Sequence, residues 1–305
     1  MKKEKKNIVV LGSSNTDMVV RSKHLPGPGE TVLGGEFMMN NGGKGANQAV
    51  AASRLGGNVH FIAKIGADVF GQKVISDYRQ EGMNVDHVFV DKETPSGVAL
   101  ILVNDETGEN SISVASGANM NLSTEDVDRA KDVLENSPIL LMQLEVPVET
   151  VEYAARKVHY GGGLVVLNPA PACPLSDELL SNVDILIPNE SEATLLTGIT
   201  IETEDDAKKA ATALSDRGVG IVIITLGSKG ALVKYDDKFT IIPAQNVKAV
   251  DTTAAGDTFC GAFCVAIEEG MPIEEAVAFA CRCSAISVTR PGAQQSAPYR
   301  HEIEN

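Results

Sequence analysis

The chain of 305 residues has no tryptophan, few other aromatic residues, and too few basic residues to balance its acidic ones. Aromatic residues make up only 4% of the sequence, which leaves few surfaces on which a nucleoside could stack. The net charge of −15 repels nucleic acid phosphates and anionic membranes, and no cluster of Lys and Arg follows residues 1–6. We therefore expect neither a nucleic-acid partner nor a membrane partner.

Long apolar segments are also absent from the sequence. No run approaches the length of a membrane span, and the apolar run at 8–11, after the basic residues 1–6, is too short for a signal peptide. Hydrophobic residues still make up 43% of the chain, enough for the large core of a globular protein, and no shift of composition marks a linker. The sequence predicts a cytoplasmic protein with a single domain over residues 1–305.

The cysteines do not form a recognisable framework. They are odd in number and lack both CxxC spacing and a neighbouring His, which argues against disulfides and against a zinc site. Cys260 and Cys264 lie one helical turn apart, as metal ligands can, but cysteines in such an apolar run are more typical of a core. The five cysteines are Cys173, Cys260, Cys264, Cys281 and Cys283.

Apolar, β-branched runs alternate with longer amphipathic stretches along the chain. This βαβ alternation predicts a doubly wound α/β fold, with a mainly parallel sheet covered by helices on both faces. Ligands of such folds bind at the carboxyl ends of the strands. The predicted strands are residues 8–11, 59–65, 139–142, 164–167, 185–187 and 221–225. The predicted helices are residues 46–55, 72–81, 123–135, 148–158, 190–196, 204–216 and 255–269.

Two segments interrupt this alternation. In residues 18–39 and 97–114, short extended runs are separated by turn residues such as those of Pro26-Gly27-Pro28-Gly29, which predicts hairpins. We interpret the two insertions, at about 14–40 and 95–118, as one small β-sheet that forms a lid on the main domain. Two unrelated excursions at the sheet edge are the alternative.

The segment 251–259 places two carboxylates around a run of small residues that leads into a helix. Because Ala254, Ala255 and Gly256 have almost no side chain, an anion can approach the unpaired N–H groups at the helix start. Capping of the helix would by itself explain Asp257. A cap requires neither the small residues nor the second carboxylate, Asp251. The segment therefore favours an anion site with a base beside it.

A glycine-rich segment, Gly42-Gly43-Lys44-Gly45-Ala46-Asn47, precedes the first long helix. It is not a P-loop, because Lys44 is followed by Gly rather than Ser or Thr, and it lacks the GxGxxG pattern of dinucleotide sites. A tight turn would explain the glycines. Lys44 and Asn47 nevertheless present hydrogen-bond donors that suit hydroxyl groups as well as phosphate.

Polar residues also follow two of the predicted strands. Asn15 and Asp17 come after the first strand, and Glu145 comes after the strand at 139–142. Each alone is typical of a solvated loop or a cap. Together they favour a neutral polyol, since carboxylates accept hydrogen bonds from hydroxyls and repel a sugar phosphate.

Taken in order, these motifs resemble those of the ribokinase-like family of sugar and nucleoside kinases. The segments at 42–47, 189–192, 225–230 and 251–257 occur in the family's order, and the similarity extends over about residues 7–299. The resemblance implies transfer of the γ-phosphoryl group of ATP to the primary (O5) hydroxyl of D-ribose. A fructokinase or nucleoside kinase of the same fold is an alternative. A non-catalytic sugar or nucleotide sensor is another, although a sensor would most simply lack the base or the small-residue segment.

The resemblance also implies roles for individual residues. Asp257 would be the general base, and the backbone N–H groups of residues 254–257 would form the anion hole. Ribose would contact Asn15, Asp17, Gly43, Lys44, Asn47, Glu145 and Asp257. ATP would contact Asn189, Thr225, Gly227, Ser228, Gly230, Ala254, Ala255, Gly256 and Cys281. Asn189 and Glu192 would hold Mg²⁺ through water.

Two further expectations follow from the resemblance. A potassium ion is expected beside the anion hole, and the second copy of a homodimer is expected to pair through the lid sheet. The potassium ligands would be the side chains of Asp251 and Ser296 and the carbonyl groups of Thr253, Ser287, Arg290 and Gly292.

Overall fold

The computed structural model describes residues 6–303, so the basic segment at 1–5 lies outside the described residues. The strands are β1 (Asn7–Leu11), β2 (Asn15–Ser22), β3 (Glu36–Gly42), β4 (Asn58–Gly66), β5 (Val88–Asp91), β6 (Gly97–Asn104), β7 (Asn110–Ala115), β8 (Ile139–Met142), β9 (Leu164–Leu167), β10 (Ile185–Leu186), β11 (Ile221–Thr225), β12 (Ala231–Tyr235) and β13 (Lys238–Ile242). The helices are α1 (Lys44–Arg54), α2 (Val69–Gln80), α3 (Thr124–Arg129), α4 (Lys131–Leu134), α5 (Val148–Tyr160), α6 (Asp177–Ser181), α7 (Glu190–Thr197), α8 (Glu204–Ser215), α9 (Ala255–Glu268) and α10 (Ile273–Ser287).

The main sheet has nine strands in the order β13-β12-β11-β10-β9-β8-β1-β4-β5. Strands from β11 to β5 in this order pair in parallel, whereas β12 and β13 continue the sheet as an antiparallel edge. The apolar residues of β1, Ile8 to Leu11, are fully buried because helices cover both faces of the sheet. Helices α1, α2, α9 and α10 pack on one face, and α5 and α8 pack on the other. The predicted fold class is confirmed.

Each predicted strand is present, and most predicted helices agree within a few residues. The predicted helix at 123–135 is instead two short helices, α3 and α4, because the backbone at Ala130 leaves helical geometry, with φ −100° and ψ 15°. The edge hairpin of β12 and β13 was not predicted. Its two-residue turn contains Asp236 with a φ of 49°, which Asp tolerates better than most residues.

The two insertions form one four-stranded sheet in the order β3-β2-β6-β7, as predicted. Strand β2 of the first insertion pairs in parallel with β6 of the second, with Asn15 opposite Gly97. Asn119 fastens this junction, because its Nδ2 donates to Oδ1 of Asn15 at 2.7 Å and its Oδ1 accepts from the Ser14 N–H at 2.8 Å. A Cβ at Gly97 would lie 2.1 Å from that Asn15 oxygen, so the junction requires glycine.

No helix within residues 6–303 combines the length and the apolar character needed to cross a bilayer.

Candidate active site

A cavity of about 190 Å³ lies at the carboxyl ends of the central strands, where the fold predicts a ligand. Helix α9 begins at its wall, and α1 and α7 begin beside it. Eight residues assigned to ligands from the sequence line this cavity: Lys44, Asn189, Glu192, Thr225, Ala254, Ala255, Gly256 and Asp257. Asn168, Ala170, Ile187, Thr252 and Cys260 line it as well.

The turn before α9 holds its amide groups open. Ala254 has left-handed backbone geometry, with φ 57° and ψ 16°, which costs a non-glycine residue about 1 kcal/mol. Within residues 6–303, the N–H groups of Ala254, Gly256 and Asp257 have no acceptor, whereas the Ala255 N–H donates to the Thr252 carbonyl at 3.2 Å. Unpaired amides at a helix start attract anions. The strained turn therefore suits a phosphoryl group.

Asp257 is buried in the first turn of α9, beside the start of α1. Its Oδ2 accepts from Nδ2 of Asn47 at 3.0 Å, and its Oδ1 accepts from Nε2 of Gln48 at 3.0 Å. Burial raises the pKa of Asp257 above its usual value, while the charge of Lys44 and the two amide donors oppose the rise. Each carboxylate oxygen thus has one protein donor and keeps acceptor capacity for a substrate hydroxyl.

The residues expected to bind the sugar lie around Asp257. Burial, together with the nearby charges of Glu145 and Asp257, raises the pKa of Asp17 to about 6. Burial works to lower the pKa of Lys44, but the carboxylates of Asp257, Glu145 and Glu192 raise it overall. Lys44 is therefore a cation held among carboxylates, which suits a site where hydroxyls and phosphate meet.

The polar atoms of this group are only partly satisfied by the protein. The Oδ1 atom of Asn47 is buried and has no hydrogen-bond partner within residues 6–303, so it is available to a ligand hydroxyl. Glu145 has a structural role, because its Oε2 accepts from the Ser13 hydroxyl at 2.6 Å and from the Lys44 N–H at 2.9 Å, which caps α1. Its Oε1 accepts no hydrogen bond from residues 6–303 and is open to a ligand.

The glycine-rich segment serves close packing as well as ligand approach. A Cβ at Gly42 would lie 2.2 Å from Oδ2 of Asp17, and a Cβ at Gly45 would lie 2.5 Å from the Ser13 nitrogen. Gly43 has a φ of 89°, which disfavours other residues. The tight-turn interpretation of these glycines therefore holds alongside the ligand-binding one.

The residues expected to bind ATP and Mg²⁺ extend from the cavity along the sheet. Asn189 and Glu192 form a capping box at the start of α7, since each side chain accepts the other's backbone N–H at 2.8 Å. Burial raises the pKa of Glu192, and Lys44 partly offsets this. Both residues line the cavity, and their oxygen-bearing side chains are hard donors of the kind that fit a hydrated Mg²⁺ ion.

Four of the positions assigned to ATP lie outside the cavity wall: Gly227, Ser228, Gly230 and Cys281. Gly227 and Ser228 are in a short 3₁₀ turn, residues 227–229, that follows β11, and Gly230 after it has a φ of 104°. A Cβ at Gly230 would lie 2.0 Å from the Ile242 carbonyl oxygen, so this glycine is required by packing. Cys281 is buried in α10 and does not line the cavity.

The positions expected to hold potassium form two adjacent hydrogen-bonded groups. In the first, Asp251 accepts from the Thr253 N–H and from the Gly292 N–H, both at 2.9 Å. In the second, the Ser287 and Ser296 hydroxyls lie 2.7 Å apart, and the Arg290 N–H donates to the Ser287 carbonyl at 3.0 Å.

The donor chemistry of these groups fits a cation. Partial burial works to raise the pKa of Asp251, but hydrogen bonds from Thr253 and Gly292 lower it below its usual value. Asp251 forms no ion pair with any residue in the 6–303 range. A charged carboxylate beside hydroxyl and carbonyl oxygens suits a monovalent cation.

Sequence reasoning missed four amide side chains at the site: Gln48, Asn119, Gln143 and Asn168. Gln143 directly follows β8 and Asn168 directly follows β9, so the rule that found Glu145 would also have found them. Gln48 had no such signal, because it lies inside a helix next to Asn47. Asn119 lies in a 3₁₀ turn and shows no pattern that distinguishes it from a loop residue.

A parallel α/β sheet with an open helix start beside a buried carboxylate is the arrangement expected of a phosphotransferase that acts on a small molecule. The chain matches the sequence model described as pfkB family carbohydrate kinase over residues 5–300. It therefore belongs to the pfkB family of carbohydrate kinases. The predicted family resemblance is confirmed.

Individual relatives agree with this assignment. The chain is 47% identical over 298 residues to a ribokinase of Haemophilus influenzae, covering 98% of this chain and 97% of the relative. It is 40% identical over 293 residues to a deoxyribokinase of Salmonella typhi, covering 96% and 95%. Among solved structures, it matches Arabidopsis thaliana ribokinase complexed with ribose and ATP with a TM-score of 0.91, at 34% identity and 98% coverage of both chains.

Proposed function

We propose that the protein is an ATP-dependent ribokinase that converts D-ribose to ribose 5-phosphate. The observation that carries the proposal is the buried Asp257 carboxylate beside the unpaired N–H groups of the α9 turn. The full-length similarity to a ribokinase, and to a ribokinase structure complexed with ribose and ATP, supports this substrate pair.

The chemistry follows from the placement of charge. Asp257 accepts the proton of the O5 hydroxyl as O5 forms a bond to the γ-phosphorus of ATP, and the bond from that phosphorus to the ADP oxygen breaks. The N–H groups of Ala254, Gly256 and Asp257 bind the oxygens of the transferring group, whereas the Ala255 N–H is held by the Thr252 carbonyl. Lys44 adds a positive charge nearby. Phosphoryl transfer depends mainly on such positioning and charge stabilisation.

The raised pKa of Asp257 is compatible with this role, because a base works best when its pKa approaches the working pH. Asn15, Asp17, Gly43, Asn47 and Glu145 hold the sugar hydroxyls. Asn189, Thr225, Gly227, Ser228, Gly230 and Cys281 are assigned to the nucleotide side of the site. Mg²⁺ held through water by Asn189 and Glu192 would neutralise charge on the ATP phosphates.

A potassium ion at Asp251, Thr253, Ser287, Arg290, Gly292 and Ser296 would balance the Asp251 charge behind the anion-binding turn. The hydrogen bond from the Gly292 N–H to Asp251 supports this placement, since it brings both parts of the expected ligand set together. An Asp251→Asn variant keeps the shape of the side chain but loses its charge. Its turnover should no longer depend on potassium, whereas its pH profile should keep the wild-type form.

Assay of a panel of acceptors tests the proposed function. ADP release from ATP is measured with ribose, 2-deoxyribose, fructose and adenosine, each with potassium and with sodium. We expect kcat/KM for ribose to exceed that for each other acceptor by at least about tenfold, because a site that pairs with a hydroxyl rejects an analogue that lacks it. Potassium is expected to raise the turnover of ribose. Binding of ribose without ADP release would indicate a sensor and would contradict the proposal.

A deoxyribokinase is the second candidate, because a relative of that name is 40% identical over most of both chains. The two functions differ in whether the site discriminates at the 2-position of the sugar. Carboxylates that accept hydroxyl hydrogen bonds, such as Asp17, favour ribose. Preferred turnover of 2-deoxyribose in the panel would select the second candidate instead.

We further propose that the small sheet closes over the sugar and pairs with the same sheet of a second copy in a cytoplasmic homodimer. Asp17, on one face of β2, is part of the sugar group. The opposite face carries exposed apolar side chains, with Phe37 at 64% and Leu100 at 54% exposure. Such a patch on a charged protein is typical of an interface.

Replacement of Leu100 by Lys should convert the dimer into a monomer in sedimentation velocity. A lysine at the centre of an apolar interface leaves a buried, unpaired charge, which costs several kcal/mol of association free energy. Val69, in α2, is 72% exposed and lies outside the small sheet, so Val69→Lys is the matched control and should stay dimeric. Wild-type protein that sediments only as a monomer would refute the proposed pairing.

A further inference from the structure

Behind the proposed base lies a buried network of amides. Gln48 is fully buried in α1, and its Nε2 donates both to Oδ1 of Asp257 at 3.0 Å and to Oδ1 of Asn168 at 3.1 Å. Its Oε1 accepts from Nε2 of Gln143 at 2.5 Å. The Gln48 amide therefore uses both of its N–H groups and its oxygen within the protein, and it joins α1 to α9 and to the ends of β8 and β9.

The orientation of the Gln48 amide is fixed by a backbone group. Nδ2 of Asn168 donates to the Ile187 carbonyl at 2.9 Å, and a carbonyl can only accept. Oδ1 of Asn168 must then face Gln48 as an acceptor, so Gln48 must present its Nε2 there. A flipped Gln48 would set two oxygens against each other at Asn168 and at Asp257. The network thus holds one N–H of Gln48 towards Oδ1 of the base.

We propose that Gln48 is a positioning residue for phosphoryl transfer, which keeps the Asp257 carboxylate ionised and turns its Oδ2 towards the acceptor hydroxyl. This role rests on the proposed function. Gln48 is too deeply buried to touch the sugar, and it acts through Asp257. Asn47 donates to Oδ2 and Gln48 donates to Oδ1, so within residues 6–303 Gln48 is the side chain that donates to Oδ1.

Several charged and titratable groups also influence Asp257. Lys44 on α1 favours its ionised form, whereas the carboxylates of Asp17 on β2, Glu145 after β8 and Glu192 on α7 oppose it. Burial raises the pKa of the nearby Cys260 thiol on α9, so this thiol stays neutral. Carboxylates outnumber cations in this group. An uncharged amide donor is therefore needed to keep the Asp257 carboxylate ionised in this buried, acidic site. Loss of that donor makes Asp257 easier to protonate.

Replacement of Gln48 by Met tests the role, because Met has a similar volume and no N–H donor. We measure kcat and KM for ribose from about pH 5 to about pH 9. The base works only when deprotonated, and loss of a donor raises its pKa, so the acid limb of kcat should move up by about one pH unit. On the acid limb, below the pKa of Asp257, kcat should fall by up to about tenfold and recover at higher pH, while KM for ribose changes less than about threefold.

Gln143→Met is the matched control. It removes another buried amide from the same network but leaves the bonds from Gln48 to Asp257 and Asn168 in place. Its thermal stability should fall as in Gln48→Met, yet its acid limb should stay at the wild-type pH. A purely structural role of Gln48 would lower stability in both variants without moving either pH profile.

Gln48→Asn serves as a second variant if Gln48→Met does not fold. It keeps a polar amide but is one methylene shorter, which withdraws the donor from Asp257. A folded variant with the wild-type acid limb overturns the proposal. Failure of both Gln48 variants to fold while Gln143→Met folds would also overturn it, because the amide would then be structural. Wild-type protein that does not phosphorylate ribose refutes the proposed function instead, and the variants are then compared on the acceptor that the panel identifies.

Discussion

Asp257→Asn is expected to lower kcat for ribose phosphorylation about a thousandfold. Asn has the shape of Asp but cannot accept the O5 proton at neutral pH, so the variant lacks the base at the moment when the hydroxyl attacks. The ground-state contacts of the sugar change little, and ribose should bind within about tenfold of wild type. Rapid-quench measurement of a single turnover separates the chemical step from product release, and calorimetric titration measures ribose affinity.

A neighbouring carboxylate provides the contrast for this prediction. Asp17 is close enough to Asp257 to influence its charge, but it lies on β2 of the small sheet and is assigned to sugar binding. Asp17→Asn should therefore raise KM for ribose by more than about tenfold while kcat stays within a few-fold of wild type. Near-normal turnover in Asp257→Asn would refute the assignment of the base. Equal losses of kcat in both variants would indicate that the carboxylates act as one unit.

The sequence could predict Asp257 because its chemistry is encoded locally. Small residues before a helical pattern reveal an open helix start, and a carboxylate in the first turn then stands next to it. The main sheet was predictable for a similar reason, since buried parallel strands such as Ile139–Met142 are continuous apolar runs. Both signals need only a short window of sequence.

Gln48 could not be predicted in this way, because its role depends on how closely two helices pack. A Cβ at Gly261 of α9 would lie 2.5 Å from the Gln48 carbonyl oxygen and 2.9 Å from the Ala52 nitrogen. Glycine at this position lets α9 approach α1, and that approach brings Asp257 within reach of Asn47 and Gln48. The two helices are separated by about two hundred residues of sequence, so no local pattern records their contact.

Glu145 shows a different limit. The sequence assigned it to the sugar because it follows a strand end, and the structure also uses it to cap α1 through the Lys44 N–H. A side chain with two oxygens can hold a backbone amide with one and a ligand with the other. A glutamate at this position could cap the helix or bind the sugar. The geometry shows that Glu145 caps α1 with one oxygen and can bind a ligand with the other.

The potassium positions show the third limit. Thr253, Ser287, Arg290 and Gly292 were expected to act through carbonyl groups, which every residue carries. Their side chains give no signal, and the Arg290 side chain pairs with Glu302 instead. The structure groups these positions through hydrogen bonds such as that from Gly292 to Asp251. Binding of a cation at these positions stays a prediction, which the comparison of potassium with sodium in the acceptor assay tests.

Gly256→Val is expected to abolish most activity without unfolding the protein. Gly256 is exposed, lines the cavity, and has no atom within 4 Å of an added Cβ. A larger side chain would thus be accepted by the fold, but it would occupy space from which an anion reaches the N–H groups of the turn. We expect kcat/KM for ATP to fall about a hundredfold, as when oxyanion donors are lost, while stability changes by less than about 1 kcal/mol.

A second glycine separates steric exclusion of the ligand from damage to the fold. Gly45→Ala would place its Cβ 2.6 Å from the Gly12 carbonyl carbon, so the backbone of α1 must shift, at a cost of about 1 to 3 kcal/mol. Gly256→Ala adds the same methyl group where nothing opposes it, and it should keep the wild-type unfolding temperature. Denaturant unfolding measures the stability of all three variants, and kcat/KM for ATP measures their activity, so the two effects are determined separately. Full activity in Gly256→Val would mean that the phosphoryl group does not approach this turn, because no ligand bound to the amides of residues 254–257 could avoid the new side chain.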